Sequence, residues 1–231
     1  SESLFHAGGE PFSYPIAPVE VQAYAYAALR RWGSYFTLSY PKLRRRLMLR
    51  ATRLKNLFNR KFVIRNGEEI SLAFAIDGQG KPLVSARSSM GHVFWAIGRR
   101  PNGAPDSILE ESAVRGVVAR LMSPDLFEPE AGIRTLSALS ERFDPQSYHN
   151  GSIWPHDNSI IIEGFENFGF RVEAARARRA LMSAYEHFQT PIELFVFKDG
   201  QYDEYRSAGG QTACRKQAWS AAALLAEAMA A

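Results

Sequence analysis

The feature that most constrains the fold is the pair of segments on either side of Gly169. Pro155 is suited to a first helical turn. Behind it Ile160, Ile161, Phe165 and Phe168 form one apolar side, and Gly169 ends the run. "RVEAARARRALMSAYEHF" follows at once, with Ala174, Ala177, Leu181, Ala184 and Tyr185 on a second stripe. Two amphipathic segments joined by so short a link run antiparallel and bury their stripes against each other, which is an αα-hairpin.

The rest of the chain reads in the same units. "VEVQAYAYAALRRW" has the content of a buried helix, with Val21, Tyr24, Ala25, Ala28 and Leu29 on one stripe. "YPKLRRRLMLRATRLKNLFNRKF" follows: Leu43, Leu47, Leu54, Leu57 and Phe58 hold one face, while Arg44, Arg45, Arg46, Arg50 and Arg53 spread over a solvated one. "GHVFWAIGRR" and "SILEESAVRGVVARLMS" read as a second helix pair across a Pro and Gly loop. "RKQAWSAAALLAEAMAA" reads as a final helix, reached through a loop containing "TPIELFVFKDGQYDEY". Between Lys61 and Arg87 the period changes: "ISLAFAID" and "KPLVSA" flank "DGQG", a small β-hairpin inserted in a helical protein. No internal repeat supports a solenoid. The expected fold is an all-α stack of hairpins over residues 1–231, a single domain, with long polar loops (8–18, 87–92, 144–158, 190–217) collected at one end.

Charge and cysteine use exclude several classes. The formal net charge is +4, but 28 basic residues stand against 24 acidic ones. This mild excess, without interleaved aromatics or a recognition motif, gives no nucleic-acid partner. Cys214 is the lone cysteine, which rules out an internal disulfide framework or a cysteine-based zinc cluster and fits a reducing, cytoplasmic setting. No stretch approaches the ~20 apolar residues that cross a bilayer, so no membrane partner is expected. No metal is expected: HExxH is absent, and His149 and His156 are separated by a Gly and a Pro. Neither a G-x-S-x-G elbow nor a phosphate-cradling Gly loop ahead of a helix is present, and no cofactor is implied.

Chemistry concentrates in "YHNGSIWPHDNSIIIEGF". A carbohydrate site needs aromatic faces for sugar rings, amides and carboxylates for hydroxyls, and carboxyl groups for acid and base work. Tyr148, His149, Asn150, Trp154, His156, Asp157 and Asn158 supply the first two. Glu193 in "PIELF", set between apolar neighbours, supplies a carboxylate whose partial desolvation suits proton transfer. Each residue also has a plainer reading. Trp154 serves as a core anchor, Asp157 as a first-turn acid favoured by the helix dipole, His156 as a solvent-facing residue and Glu193 as an outward edge-strand residue.

In order along the chain, "VEVQAYAYAAL", "SSMGHVFWAIG", "AGIRTLS", "SYHNGSIWPHDNSIIIEGF", "IELF" and "TACRKQAW" resemble the C-terminal catalytic region of glycogen-debranching amylo-alpha-1,6-glucosidases and their bacterial relatives. The resemblance implies an (α/α)6 toroid of the six-hairpin glycosidase type and inverting hydrolysis of an α-linked glucan. It places the general base on Glu193 and pocket-shaping roles on Trp154 and Asp157. Glu20, Gln22, Ser89 and His92 belong to its motifs, and Glu20, Gln22 and His92 join the expected substrate-binding set. The family's general acid falls before Ser1, and about seven helices are half to two-thirds of a twelve-helix barrel. The chain is therefore expected to be a partial barrel that partners the missing N-terminal part of the same polypeptide and is weakly active or inactive alone. Two departures stand out: Ala23 replaces a glycine, and Ile192 is inserted ahead of Glu193. The rival expectation is a non-catalytic or degenerate carbohydrate-binding module.

Overall fold

The computed structural model describes residues 4–6, 10–36, 39–100 and 102–230. The entry at Ser1–Ser3 and the start of the first expected loop at Gly8 lie outside them. Among the described residues seven α-helices carry the fold: α1 (Val19–Tyr35), α2 (Pro41–Lys61), α3 (His92–Trp95), α4 (Glu111–Leu121), α5 (Pro155–Asn167), α6 (Arg171–Phe188) and α7 (Ala218–Met229). α1 packs on α2 and α5 on α6 as antiparallel hairpins. α5 lies at the centre, against α3, α6 and α7.

The expected inward residues of α6 are all buried, and Ala180 and Phe188 join them. Small alanines at three- and four-residue spacing let α5 approach closely. In α1 most of the expected stripe is wrong, and of its five residues only Leu29 packs against the core. Val19, Ala23, Tyr26 and Ala27 face the core, whereas Val21 is 48% exposed and Tyr24 36%. Alanine and tyrosine occur on every side of this helix, so spacing alone picks no face. α2 buries only Ala51 and Phe58, and Leu57 is exposed.

The β content exceeds the single hairpin expected. Antiparallel pairs join Val63–Asn66 to Glu69–Leu72, Gly98–Arg99 to Pro105–Asp106, Phe127–Glu128 to Gly132–Ile133 and Phe195–Lys198 to Gln201–Glu204. A three-stranded sheet orders Ala17–Pro18, Ala75–Ile76 and Pro82–Leu83. The chain is thus mostly helical with small sheets at its loops. "GHVFWAIGRR" gives only one helical turn, because Ala96 leaves the helical region and Gly98 turns to pair with Asp106. The expected loop after Pro191 is a hairpin. Asp199 and Gly200 both take positive φ, 51° and 76°, as a two-residue turn between right-twisted strands requires.

One large core cluster, with Phe58, Phe94, Leu121, Ile161 and Phe165 fully or nearly fully buried, runs through the helices. Each such side chain contributes about 1.5–3 kcal/mol. A second cluster, built on Trp154, Phe188, Ile192, Leu194 and Phe195, lies under the loop end. Two glycines set how closely the central helix can be approached. A Cβ on Gly91 would lie 2.6 Å from a side-chain carbon of Ile161, and one on Gly164 2.8 Å from Cβ of Phe94. The turn before α3 and α3 itself therefore sit against α5 with no room between them.

Candidate active site

Two helix starts and the loops between them build a cavity of about 450 Å³. α1 brings Glu20 in its first turn, and α5 brings His156 and Asp157 in its own, so both carboxyl groups stand at helix N-termini. Asn158, fully buried, fixes the neighbouring loop to α5. Its Oδ1 accepts from the Ile133 N–H at 2.6 Å, and its Nδ2 donates to the carbonyls of Trp154 and Ile133.

Two aromatic plates face the cavity. Trp154 stacks on His149 with centroids 5.8 Å apart and planes 6° apart, and its Nε1 donates to the Tyr148 carbonyl and the Ser152 hydroxyl. Trp219, half exposed, stacks on His156 at 4.4 Å and 9°. Both lie among the cavity's walls. Flat, rigid faces of this kind suit the apolar side of a sugar ring.

The electrostatics separate the two carboxyl groups. Burial drives the Asp157 carboxyl upward. A 2.6 Å hydrogen bond from His92 Nε2, the charge of that ring and the Ser88 hydroxyl outweigh burial and hold it below its ordinary value. Burial pushes the Glu20 carboxyl up, past what its own backbone amide and the charges of His92 and Arg87 pull back. His156 is pushed down by burial, and its Nδ1 is buried with no hydrogen-bond partner among the described residues.

Glu193 stands beside this cavity and is not among the residues that line it. Half-buried between Ile192 and Leu194, it is held on both oxygens: the Tyr148 hydroxyl donates to Oε1 at 2.6 Å and the Cys214 N–H to Oε2 at 2.9 Å. Its own N–H donates to the Cys214 carbonyl, so the backbone is pinned as well. The Tyr148 ring meets Trp154 edge-on at 5.0 Å and so links the carboxylate to the cavity wall. Burial first, and then the Glu193 hydrogen bond, push the Tyr148 hydroxyl above its ordinary value, so it remains a donor.

The expected residues thus divide by place. Glu20, His149, Trp154, His156 and Asp157 line the cavity. Tyr148, Asn150 and His92 stand behind it, Asn150 taking a 2.9 Å hydrogen bond from Arg87 Nη2. Gln22 is turned back on its own helix, its amide donating to the Pro18 carbonyl. Sequence reasoning missed Arg87 and Trp219. Arg87 is buried over the rings of Phe5 and Phe74, donates to the His149 carbonyl, and is pushed down to about 10 by burial, against Glu20. It directly precedes one of the motifs quoted above, and Trp219 ends another. Among the described residues no group of three or more His, Cys, Asp or Glu is placed to hold a metal ion. No helix among them is long and apolar enough to cross a membrane.

Helical hairpins topped by a loop-walled cavity of aromatic plates and carboxyl groups define a helical glycoside hydrolase domain. The family whose description is mannosylglycerate hydrolase MGH1-like glycoside hydrolase domain matches residues 50–220, and the chain belongs to it. In fold it is similar to an uncharacterized conserved protein from Thermus thermophilus and to a GH63 mannosylglycerate hydrolase from the same organism in complex with glucose. Each is 19% identical with a TM-score of 0.64, the match covering 93% of this chain and 48% of that chain. The latter enzyme in complex with Tris and D-glycerate matches at 18% identity and a TM-score of 0.62, covering 94% of this chain and 46% of that one. The chain spans about half the length of these structures. No curated protein matches it by sequence. The glycosidase assignment therefore stands, while the family shown is not the glycogen-debranching one that the motifs resemble. Those motifs build helix starts and cavity loops, the parts that sugar hydrolases of similar architecture have reason to share.

Proposed function

We propose that this chain carries the water-activating half of an inverting α-glycosidase site, with Glu193 as general base. The observation that carries the reading is the pair of hydrogen bonds that fix both carboxylate oxygens of Glu193 beside the Trp154 wall. In such a reaction Glu193 takes a proton from water as the water oxygen bonds to the anomeric carbon. The bond to the departing oxygen breaks on the opposite face, and a carboxylic acid protonates that oxygen. Trp154 and Trp219, set steeply to each other, give the sugar ring two aromatic walls, and Asp157, Glu20 and His156 meet its hydroxyls. No described residue is assigned the acid's role in this proposal.

For the substrate, we favour a terminal α-linked glucose, as at an α-1,6 branch of a glucan. The motif resemblance supports the linkage, and a cavity of about 450 Å³ suits one or two sugar units better than a polymer run. The family match supports a second reading, a short glycoside such as mannosylglycerate. Incubation with α-glucosyl fluoride and with α-mannosyl fluoride, whose departing fluoride needs no acid, with the anomer of the released sugar followed by NMR, separates the two. Turnover with inversion that disappears in Glu193→Gln while glucose binding persists supports the proposal. Glucose binding with no turnover on either substrate, unchanged by Glu193→Gln, replaces it with a carbohydrate-binding module.

A further inference from the structure

At the far end of α1 from Glu20, a second cavity of about 760 Å³ opens between α1, α2 and the Gly98–Arg99 hairpin. Glu20 and Ser34 are separated by almost four turns of α1, ~20 Å at the usual helical rise, so this cavity is remote from the proposed sugar site. Five arginines line it: Arg30, Arg44, Arg45, Arg99 and Arg100. Arg30 is engaged by Asp106 through its Nε, and Arg99 by the side-chain oxygen of Asn167. Arg44, Arg45 and Arg100 form no ion pair among the described residues. No carboxylate is among the lining residues.

The start of α2 adds to the imbalance. Its first turn contains no acid and its N-cap makes no side-chain bond, yet Lys42 and Arg44 stand there. Cations at a helix N-terminus are opposed by the macrodipole, which favours anions at that position. Nor does the rest of α2 correct this, for the 21-residue helix has no acidic residue. Lys55, deeper between α1 and α2, is held below its ordinary value. Burial is the main cause, and the charges of Arg100 and Arg30 add to it against the pull of Asp106. A sequence that places like charges around a concave space, against local helix preference, is consistent with a charged ligand that relieves them.

We propose that this cavity is a binding site for a small oxyanion carrying two or more charges, of the phosphate or sulfate class. The planar forks of Arg44, Arg45 and Arg100 are the groups that match such oxygens bidentately. The site is independent of the glycosidase reading and stands or falls without it.

Calorimetric titration of the full chain with inorganic pyrophosphate tests this. Saturable binding is expected, weakened by about ten-fold or more in Arg44→Gln/Arg45→Gln. It should be unchanged in Arg53→Gln, which alters an exposed arginine of α2 outside the cavity. Circular dichroism on each variant confirms that the helices persist. Tighter binding of glucose 6-phosphate than of pyrophosphate identifies a sugar phosphate as the source and the reverse order a free inorganic anion, and both orders support the site. No saturable binding to the unaltered chain, or equal weakening in the Arg53 variant, overturns it. So does tighter binding of a short single-stranded oligonucleotide than of either small anion, which would make the helix a polyanion surface.

Discussion

His92 Nε2 lies 2.6 Å from Asp157 Oδ1, and the opposite nitrogen of the same ring meets the hydroxyl of Tyr24. The imidazole is thereby gripped from α1 and from α5 at once. The ring fixes the orientation of the Asp157 carboxyl, which lines the cavity. His92→Leu leaves the Asp157 carboxyl buried without this partner, and a buried polar group left unsatisfied costs about 1–3 kcal/mol. His92→Gln keeps a donor and is expected to recover most of that loss in denaturant unfolding. Equal destabilisation by both would mean that the ring's packing, and not the hydrogen bond, is what matters.

Tyr148→Phe removes one hydroxyl and leaves the ring against Trp154. A hydrogen bond to a charged group is worth about 1.5–3 kcal/mol, so kcat is expected to fall about 10- to 100-fold with KM little changed. A rise in KM alone would show that Tyr148 serves binding and does not orient Glu193.

Trp219 is half exposed and stacks on His156 at the cavity wall. Trp219→Ala should weaken glucose binding by about 0.5–1.5 kcal/mol, the worth of an aromatic contact beyond its area, while unfolding midpoints hardly move. Titration of the sugar by calorimetry measures the first and thermal denaturation the second.

Gly91→Ala pushes a methyl group against Ile161 at 2.6 Å. Overpacking of this kind costs about 1–3 kcal/mol. Gly209→Ala meets only the Ser207 hydroxyl at 3.8 Å and serves as the neutral control. A Gly91 variant as stable as that control would mean that the approach of α3 to α5 is looser than the structure has it.

Acid stability should depend on Asp125. Burial raises this carboxyl, but hydrogen bonds from Arg120, Ser137 and Ser123 outweigh it and bring it to about 2 from an ordinary value of 3.8. A lowered folded value means stability that is fully present above about pH 4 and is lost as pH falls towards 2. Asp125→Asn is expected to be less stable at neutral pH and to lose less on acidification across that window.

α6 could be read residue by residue because Ala174, Ala177, Leu181 and Ala184 recur on one side, whereas in α5 the unbroken isoleucine run hides the face, and Ile162 in place of Ile160 joins Ile161 and Phe165 in the core. α1 could not be read so either, since its alanines and tyrosines encircle the helix and only packing chooses between them. Most of the short sheets escape notice because strands of two residues carry no alternation to detect, and the four-residue strand Phe195–Lys198 is buried at three successive positions and so does not alternate either. For the site, the cluster from Tyr148 to Asp157 stood out in the chain by density alone, and most of it meets at one cavity. Arg87 and Trp219 come from distant positions and become neighbours only through the fold. Nor does the chain reveal that Glu193 lies beside the cavity and not in its wall, because that follows from the pinning of its backbone to Cys214.

That pinning uses the main chain of Cys214 and leaves its thiol exposed. The only cysteine of the chain is therefore a unique attachment point for a maleimide dye or a nitroxide, on the residue whose amide holds the Glu193 carboxylate. A reporter placed there would register, without any engineered residue, whether sugar entering the cavity stiffens or loosens the loop behind it.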